Sequence, residues 1–160
     1  MGSEFERRSS MCAGARRLIV VSSTASDSHT WSLVYLQLLL EEHGHRVVNL
    51  GACVPVGLLV QECVAGRPDL AVLSSVNGHG FRDGLLAAEE FRREPRLAGT
   101  PLVIGGKLGL GGVDQGRTPA LLAAGFDAVF EDGAEAVRLL RSFIDALPAV
   151  GSLRESAVSG

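Results

Sequence analysis

Aromatic side chains are scarce here: they make up 5% of the 160 residues, and Trp31 and Tyr35 are the only Trp and Tyr. So few rings count against a flavin clamped between two aromatic faces. Positive charge is also short, with 15 Lys and Arg against 18 Asp and Glu for a net −3. The basic residues are scattered except near the N-terminus, so no phosphate-backbone footprint exists and nucleic acid is not the expected partner. Cys12, Cys53 and Cys63 form no Cys-x-x-Cys pair and leave an odd count, which fits free thiols in a reducing cytoplasm better than a disulfide framework. No apolar run approaches the roughly 20 residues that span a bilayer, and the first ten residues lack a hydrophobic signal core, so a cytoplasmic protein without membrane partners is expected. The Gly-x-Gly-x-x-Gly fingerprint is missing after the first apolar run, which lowers a nicotinamide reading.

What is present suits one domain: 46% of residues are apolar and 21% charged, enough for a real core. Residues 1–16 read as a cloning scar and disordered N-terminus, 17–148 as the domain and 149–160 as a flexible tail. Leu18 to Val21 is a continuous β-branched run, the pattern of a strand buried on both faces, followed by polar Ser22-Ser23-Thr24. A helical pattern from Trp31 to His43, with apolar residues at Leu33, Val34, Leu36, Leu38, Leu39 and Leu40, stops at Gly44. Val47 to Gly51 predicts a second strand and Pro55 to Gly66 a second helix. Leu70 to Leu73 is a third strand, with a polar loop from Ser74 to Gly80 and a helix around Leu85 to Arg93. Pro101 to Ile104 is a fourth, followed by Gly105-Gly106 and by Gly109, Gly111 and Gly112. A helix near Pro119 to Ala124, a strand Ala128 to Phe130 and a helix from Ala134 to Leu147, with Asp132 as its expected N-cap, complete the pattern.

Five strands alternating with five helices over short loops predict an α/β fold, a flavodoxin-like (Rossmann-like), doubly wound five-stranded parallel sheet of order 2-1-3-4-5. In that order the first, third and fourth strands are neighbours, and ligands bind beyond their carboxyl ends at the switch point. Ser26-Asp27-Ser28-His29, Ser74-Ser75-Val76 and Gly105-Gly106 therefore converge. Asp27, two residues before His29, can accept the imidazole Nδ1–H and leave Nε2 for a metal or a proton. Gly105-Gly106 lets something bulky approach the backbone. A receiver domain shares this topology but needs an acidic cluster after the first strand, an Asp after the third and a Lys after the fourth; Ser74-Ser75 and Gly105-Gly106 stand in the last two places.

With these residues in place the chain resembles, from about Leu18 to Leu147, the cobalamin-binding small subunit of glutamate (methylaspartate) mutase, within the wider family of Asp-x-His-x-x-Gly cobalamin domains. The resemblance rests on Asp27-Ser28-His29, Ser74-Ser75-Val76 and Gly105-Gly106, supported by Val48-Asn49-Leu50-Gly51 and Val72 to Gly80. Two positions depart from the family: Ser32 stands where its motif has Gly, and Val76 where it has Leu. The resemblance implies adenosylcobalamin bound base-off, His29 as lower ligand to cobalt, and Asp27 holding the imidazole tautomer. Ser26, Ser28, Thr30, Ser32, Ser74, Ser75, Val76, Gly78, Gly105, Gly106 and Lys107 would line the cofactor site.

Activity would then need a separate large catalytic mutase subunit, since this chain is too short to hold a substrate barrel. A corrinoid methyl carrier and a non-enzymatic cobalamin sensor or storage module are the rival readings, and a homo-oligomer stays open. His43 and His45 flank the Gly44 stop and read as helix-end or surface histidines, His79 lies over the crevice, and Cys53 reads as a small, partly buried apolar residue.

Overall fold

The computed structural model describes residues 15–110 and 116–148. The expected tail at 149–160, Cys12, Gly111 and Gly112 lie outside the described residues, as does most of the expected N-terminal segment. Five parallel strands, β1 (Leu18–Ser23), β2 (Arg46–Asn49), β3 (Leu70–Ser75), β4 (Leu102–Gly106) and β5 (Ala128–Glu131), form one sheet in the order β2-β1-β3-β4-β5. The helices between and after them are α1 (Trp31–Glu42), α2 (Val56–Gly66), α3 (Gly80–Arg93), α4 (Arg117–Ala124) and α5 (Ala136–Asp145). A short 3₁₀ turn at Pro95–Leu97, which the sequence pattern did not announce, leads into β4.

Alternation along the strands sorts the core into two halves. Ile19, Val21, Leu70, Val72 and Val103 pack with Leu33 and Leu40 of α1 and Leu140 and Ile144 of α5. Val20, Ala71, Leu73, Leu102 and Ile104 pack on the opposite face with α2, α3 and α4, through Leu59, Cys63, Phe91 and Leu121. Each buried Val, Leu, Ile or Phe among them contributes about 1.5–3 kcal/mol. Runs with no polar face, such as Leu70–Ser75, form strands because helices cover both sides of the sheet.

Helix ends follow local chemistry. After α1, Gly44 takes φ +89° and completes a Schellman pair, in which Gly44 N–H donates to Glu41 C=O and His45 N–H to Leu40 C=O. At the end of α2 the left-handed residue is not Gly66 but Arg67, at φ 47°. α5 ends on buried Arg17, whose guanidinium donates to the carbonyls of Leu147 (2.8 Å) and Pro148 (2.9 Å). A cation meeting those carbonyls ties the start of β1 to the chain just past α5.

Four expectations are corrected. Ser74-Ser75 and Gly105-Gly106 belong to the strands themselves and do not follow them. Asp132 does not cap α5; the N-cap is Glu135, and Asp132 instead donates its backbone N–H to Gly106 C=O at 3.0 Å. Cys53 is exposed at φ 51°, whereas Cys63 is the buried thiol, its pKa pushed up to about 12 by burial and by Glu62. Of the apolar pattern in α1, Leu33 and Leu40 are buried while Val34 and Leu38 face solvent.

Candidate functional site

Parallel pairing sets Ser23 beside Ser74, and Ser74 beside Gly105, so the three sequence motifs share one edge of the sheet. Beyond β1 the chain turns, with Asp27 N–H donating to Thr24 C=O, and drops the Asp27 carboxylate into the interior at 1% exposure. Oδ1 accepts from the His29 backbone N–H (2.9 Å) and faces His29 Nδ1 at 2.7 Å; Oδ2 accepts from the Val76 backbone N–H at 2.6 Å. Burial works to raise the Asp27 pKa, but the N–H donors of Val76 and His29 and the imidazole outweigh it and hold the carboxyl below its ordinary value. An ionised Asp27 accepts a hydrogen bond from Nδ1–H, so Nε2 carries the free lone pair. The His29 side chain is 48% exposed, and its ring is presented at the sheet edge.

The same loop is latched to the loop after β3. Asp83, in the first turn of α3, accepts from the Ser26 hydroxyl and from Ser26 N–H at 3.2 Å. Asn77 donates to Ser26 C=O at 3.1 Å and accepts from His79 N–H at 2.9 Å. The loop before α2 joins as Cys53 N–H donates to Asp27 C=O at 2.8 Å.

Between them, α1 and α5 leave a groove of about 160 Å³ over the C-terminal halves of β3 and β4. Ser32, Ser74, Val76, Gly105 and Gly106 line it. Ser74 is 6% exposed. Ser75 is completely buried and packs on the other face of the sheet, where a Cβ on Gly80 would meet its Cβ at 2.7 Å. Gly78 is buried at φ +86° against Leu110, while Ser28, Thr30 and Lys107 are exposed on the rim loops. Gly106 has a different reason to be glycine from the one the sequence suggested. Its φ is +104°, and a Cβ would lie 2.1 Å from the Ser75 carbonyl oxygen, so the backbone of β4 requires it whatever occupies the groove.

Sequence reasoning missed the walls. Trp31, Tyr35 and Leu36 come from α1, and Ala136, Val137 and Leu140 from α5, with Phe130 from β5. It also missed Asn77 and Asp83; the turn-forming Asn77-Gly78 pair was the available signal for the first, and nothing in the sequence distinguished the second from a solvated helix acid. His79 is exposed at the N-cap of α3 without capping it, and half-buried His45 accepts from Arg17 N–H at 3.3 Å.

Among the described residues no three His, Cys, Asp or Glu side chains are placed to hold a metal ion together. A site that offers a metal one oriented nitrogen suits an ion whose other positions are filled by a ligand of its own, and in a doubly wound domain ligands bind at this switch point. The chain belongs to the B12 binding domain family, whose model matches residues 17–141. It is a cobalamin-binding domain. It is similar to the glutamate mutase sigma subunit of Fusobacterium nucleatum, with 30% identity over 120 residues, 74% of this chain and 88% of that protein. It is also similar to the HTH-type transcriptional repressor CarA of Myxococcus xanthus, with 35% identity over 94 residues, 59% of this chain but only 31% of the repressor. The fold matches a cobalamin-binding protein from Desulfitobacterium hafniense DCB-2 with a TM-score of 0.64 and 21% identity, over 81% of this chain and 60% of that one.

The residues present fit that cofactor. The imidazole nitrogen of His29 that faces away from Asp27 suits a cobalt ion, and the largely apolar groove suits part of a large organic ligand.

Proposed function

We propose that this chain holds cobalamin base-off, with His29 Nε2 as lower ligand to cobalt and the nucleotide tail in the α1–α5 groove, as the cofactor-binding component of an adenosylcobalamin-dependent carbon-skeleton mutase of the glutamate/3-methylaspartate type. The observation that carries the reading is the pairing of exposed His29 with buried Asp27, whose other oxygen accepts from the N–H of Val76 in the groove lining. Adenosylcobalamin supplies radical chemistry when bound. This chain's residues orient the cofactor: Asp27 fixes the imidazole, Val76 N–H fixes Asp27, and Ser74 offers a hydroxyl to the tail.

A substrate reacting above the cofactor needs cover from water, so a larger catalytic subunit is part of the reading. Trp31, Val34, Tyr35 and Leu38 stand exposed at positions i, i+3, i+4 and i+7 of α1, an unpartnered apolar stripe next to the site that supports a protein partner. The expected contacts are the rim loops at Ser28–Thr30 and Val76–Arg82, and exposed Cys53.

Titration with adenosylcobalamin and methylcobalamin, followed by visible spectrum, tests the binding mode. Wild type is expected to give a base-off, His-on spectrum, and His29→Ala to lose it while staying folded; an unchanged spectrum in the variant rules out this ligand. Exchange of label into glutamate is expected only when the chain is mixed with a large mutase subunit, and turnover by the chain alone overturns the division of labour. The similarity to a repressor favours a second reading, a cobalamin sensor, in which binding persists and the mixture stays silent.

A further inference from the structure

Trp31, Val34, Tyr35 and Leu38 of α1 are 65%, 49%, 54% and 61% exposed, and Glu41 and Glu42 continue the same face of the helix at i+10 and i+11. The other exposed large apolar side chains among the described residues stand one to an element or loop, as Leu58 does on α2 and Leu86 on α3. The row on α1 is therefore a seam and not a scatter of surface residues.

The charges at the two ends of α1 are both unmet within the helix. It holds no Lys or Arg, and Glu41 and Glu42 stand at its carbonyl end, where the helix dipole disfavours negative charge. Glu41 accepts from Gln37 Nε2 at 3.1 Å, so its side chain leans back toward the start of the helix. At that start the first turn has no acid and the Thr30 side chain caps no N–H. Bonding within the helix begins with Val34 N–H on Thr30 C=O at 3.1 Å, which leaves the amides of Trp31, Ser32 and Leu33 without a partner inside it.

A second α1, laid antiparallel across a two-fold axis between positions 34 and 35, answers both. Trp31 of one copy then meets Leu38 of the other and Val34 meets Tyr35, so the same patch serves both subunits. Positions 41 and 42 fall opposite 28 and 27, and because helical side chains lean toward their own N-terminus, the carboxylates reach back to the amide end of the opposing helix. A parallel pair would instead set four carboxylates side by side.

We propose that the chain self-associates through α1 as an antiparallel, two-fold helix pair, with Trp31, Val34, Tyr35 and Leu38 as its apolar core and Glu41 and Glu42 set against the N-terminus of the opposing helix. The pair is a state of the chain on its own, since the seam ends beside Ser28, at one of the loops offered to a catalytic subunit. It goes beyond the cobalamin-binding reading and does not rest on it.

The test is sedimentation velocity and light scattering on the full chain without cofactor over a range of concentrations, with emission of Trp31, the only Trp, as a second readout. Wild type is expected to reach twice the chain mass as concentration rises, and Trp31 emission to shift to the blue over the same range. Leu38→Glu, at an exposed position, is expected to weaken the dimer by at least about tenfold and to cancel the shift. Glu41→Lys combined with Glu42→Lys separates this from a structural role. Lysine at a helix C-terminus favours the helix, so Tm is expected to hold or rise while the dimer weakens by about tenfold. Monomer at every concentration up to about 1 mM overturns the proposal. So does a dimer indifferent to Leu38→Glu, which is built on another face, and so does a dimer unmoved or tightened by the lysine pair, which is not antiparallel. Each of these outcomes leaves the proposed function standing, because no cofactor is present in the measurement.

Discussion

Val76 donates its backbone N–H to Asp27 Oδ2 at 2.6 Å, so the carboxylate that orients His29 is also the tie between the loop of β1 and the end of β3. Position of the imidazole and shape of the groove, which Val76 helps to line, therefore depend on one side chain.

Asp27→Asn tests that dual role. An amide cannot accept from Val76 N–H and from both His29 donors at once, since one of its two heteroatoms is itself a donor. Cobalamin affinity is expected to fall by about 10- to 100-fold, the usual cost of losing a partner behind a metal ligand. Stability is expected to fall by about 1–3 kcal/mol. Binding titrations and urea unfolding check the two separately. The pH dependence has a definite sign: folding lowers the Asp27 pKa, so its stabilisation is complete above about pH 4 and is lost as pH falls through the lower, folded value. The stability gap between wild type and variant is expected to close in that acid window.

His45 gives a second acid-sensitive element in a different range. Burial lowers its pKa first, and the charges of Arg17 and His43 add to this against the opposing pull of Asp145. The folded state favours the neutral ring, which accepts from Arg17 N–H. That contribution is present above the ordinary His value near 6.5 and is lost as pH falls through the lower, folded one. Urea midpoints measured from about pH 8 to pH 5 should decline in wild type, and His45→Gln should flatten the decline.

Gly106→Ala and Ala136→Phe separate backbone need from groove need. At position 106 a Cβ meets the Ser75 carbonyl and a left-handed φ, so the alanine variant is expected to lose more than about 2 kcal/mol of stability. Ala136 is half-buried on the groove wall, and a phenyl ring there should fill the space and weaken cobalamin binding by at least about tenfold, with Tm moved by less than about 4 °C. Calorimetry and spectral titration on both variants check the contrast.

Asp83→Ala removes the acceptor of both Ser26 donors and frees the loop that carries Asp27 and His29. A lost hydrogen-bond tie of this kind costs about 0.5–1.5 kcal/mol, so affinity is expected to drop by about two- to tenfold, less than for Asp27→Asn. A drop as large as that of Asp27→Asn, measured by the same titration, shows that Asp83 does more than hold the loop.

The strand order and the convergence of the motifs were legible because buried parallel strands announce themselves as unbroken apolar runs, Leu18 to Val21 and Leu70 to Leu73 above all. The Gly44 stop was legible because a left-handed residue after a helix is so often glycine. The walls of the groove were not. Leu36 and Leu140 sit in amphipathic patterns that look the same whether they face a packed core or a cavity, and only the angle between α1 and α5 tells the two apart. Asp27–His29 was readable from its spacing, whereas Ser26–Asp83 spans 57 residues with no local mark. The role of Gly106 was misjudged because a sequence shows a missing side chain but not the carbonyl that a side chain would strike.

The groove is walled by the first helix and the last, and the two ends of the domain are clasped where Arg17 holds the carbonyls of Leu147 and Pro148. A nascent chain that has emerged only as far as Glu135 owns all three sequence motifs and half a groove. In the proposed binding mode, capture of the cofactor therefore waits until α5 has been made and docked.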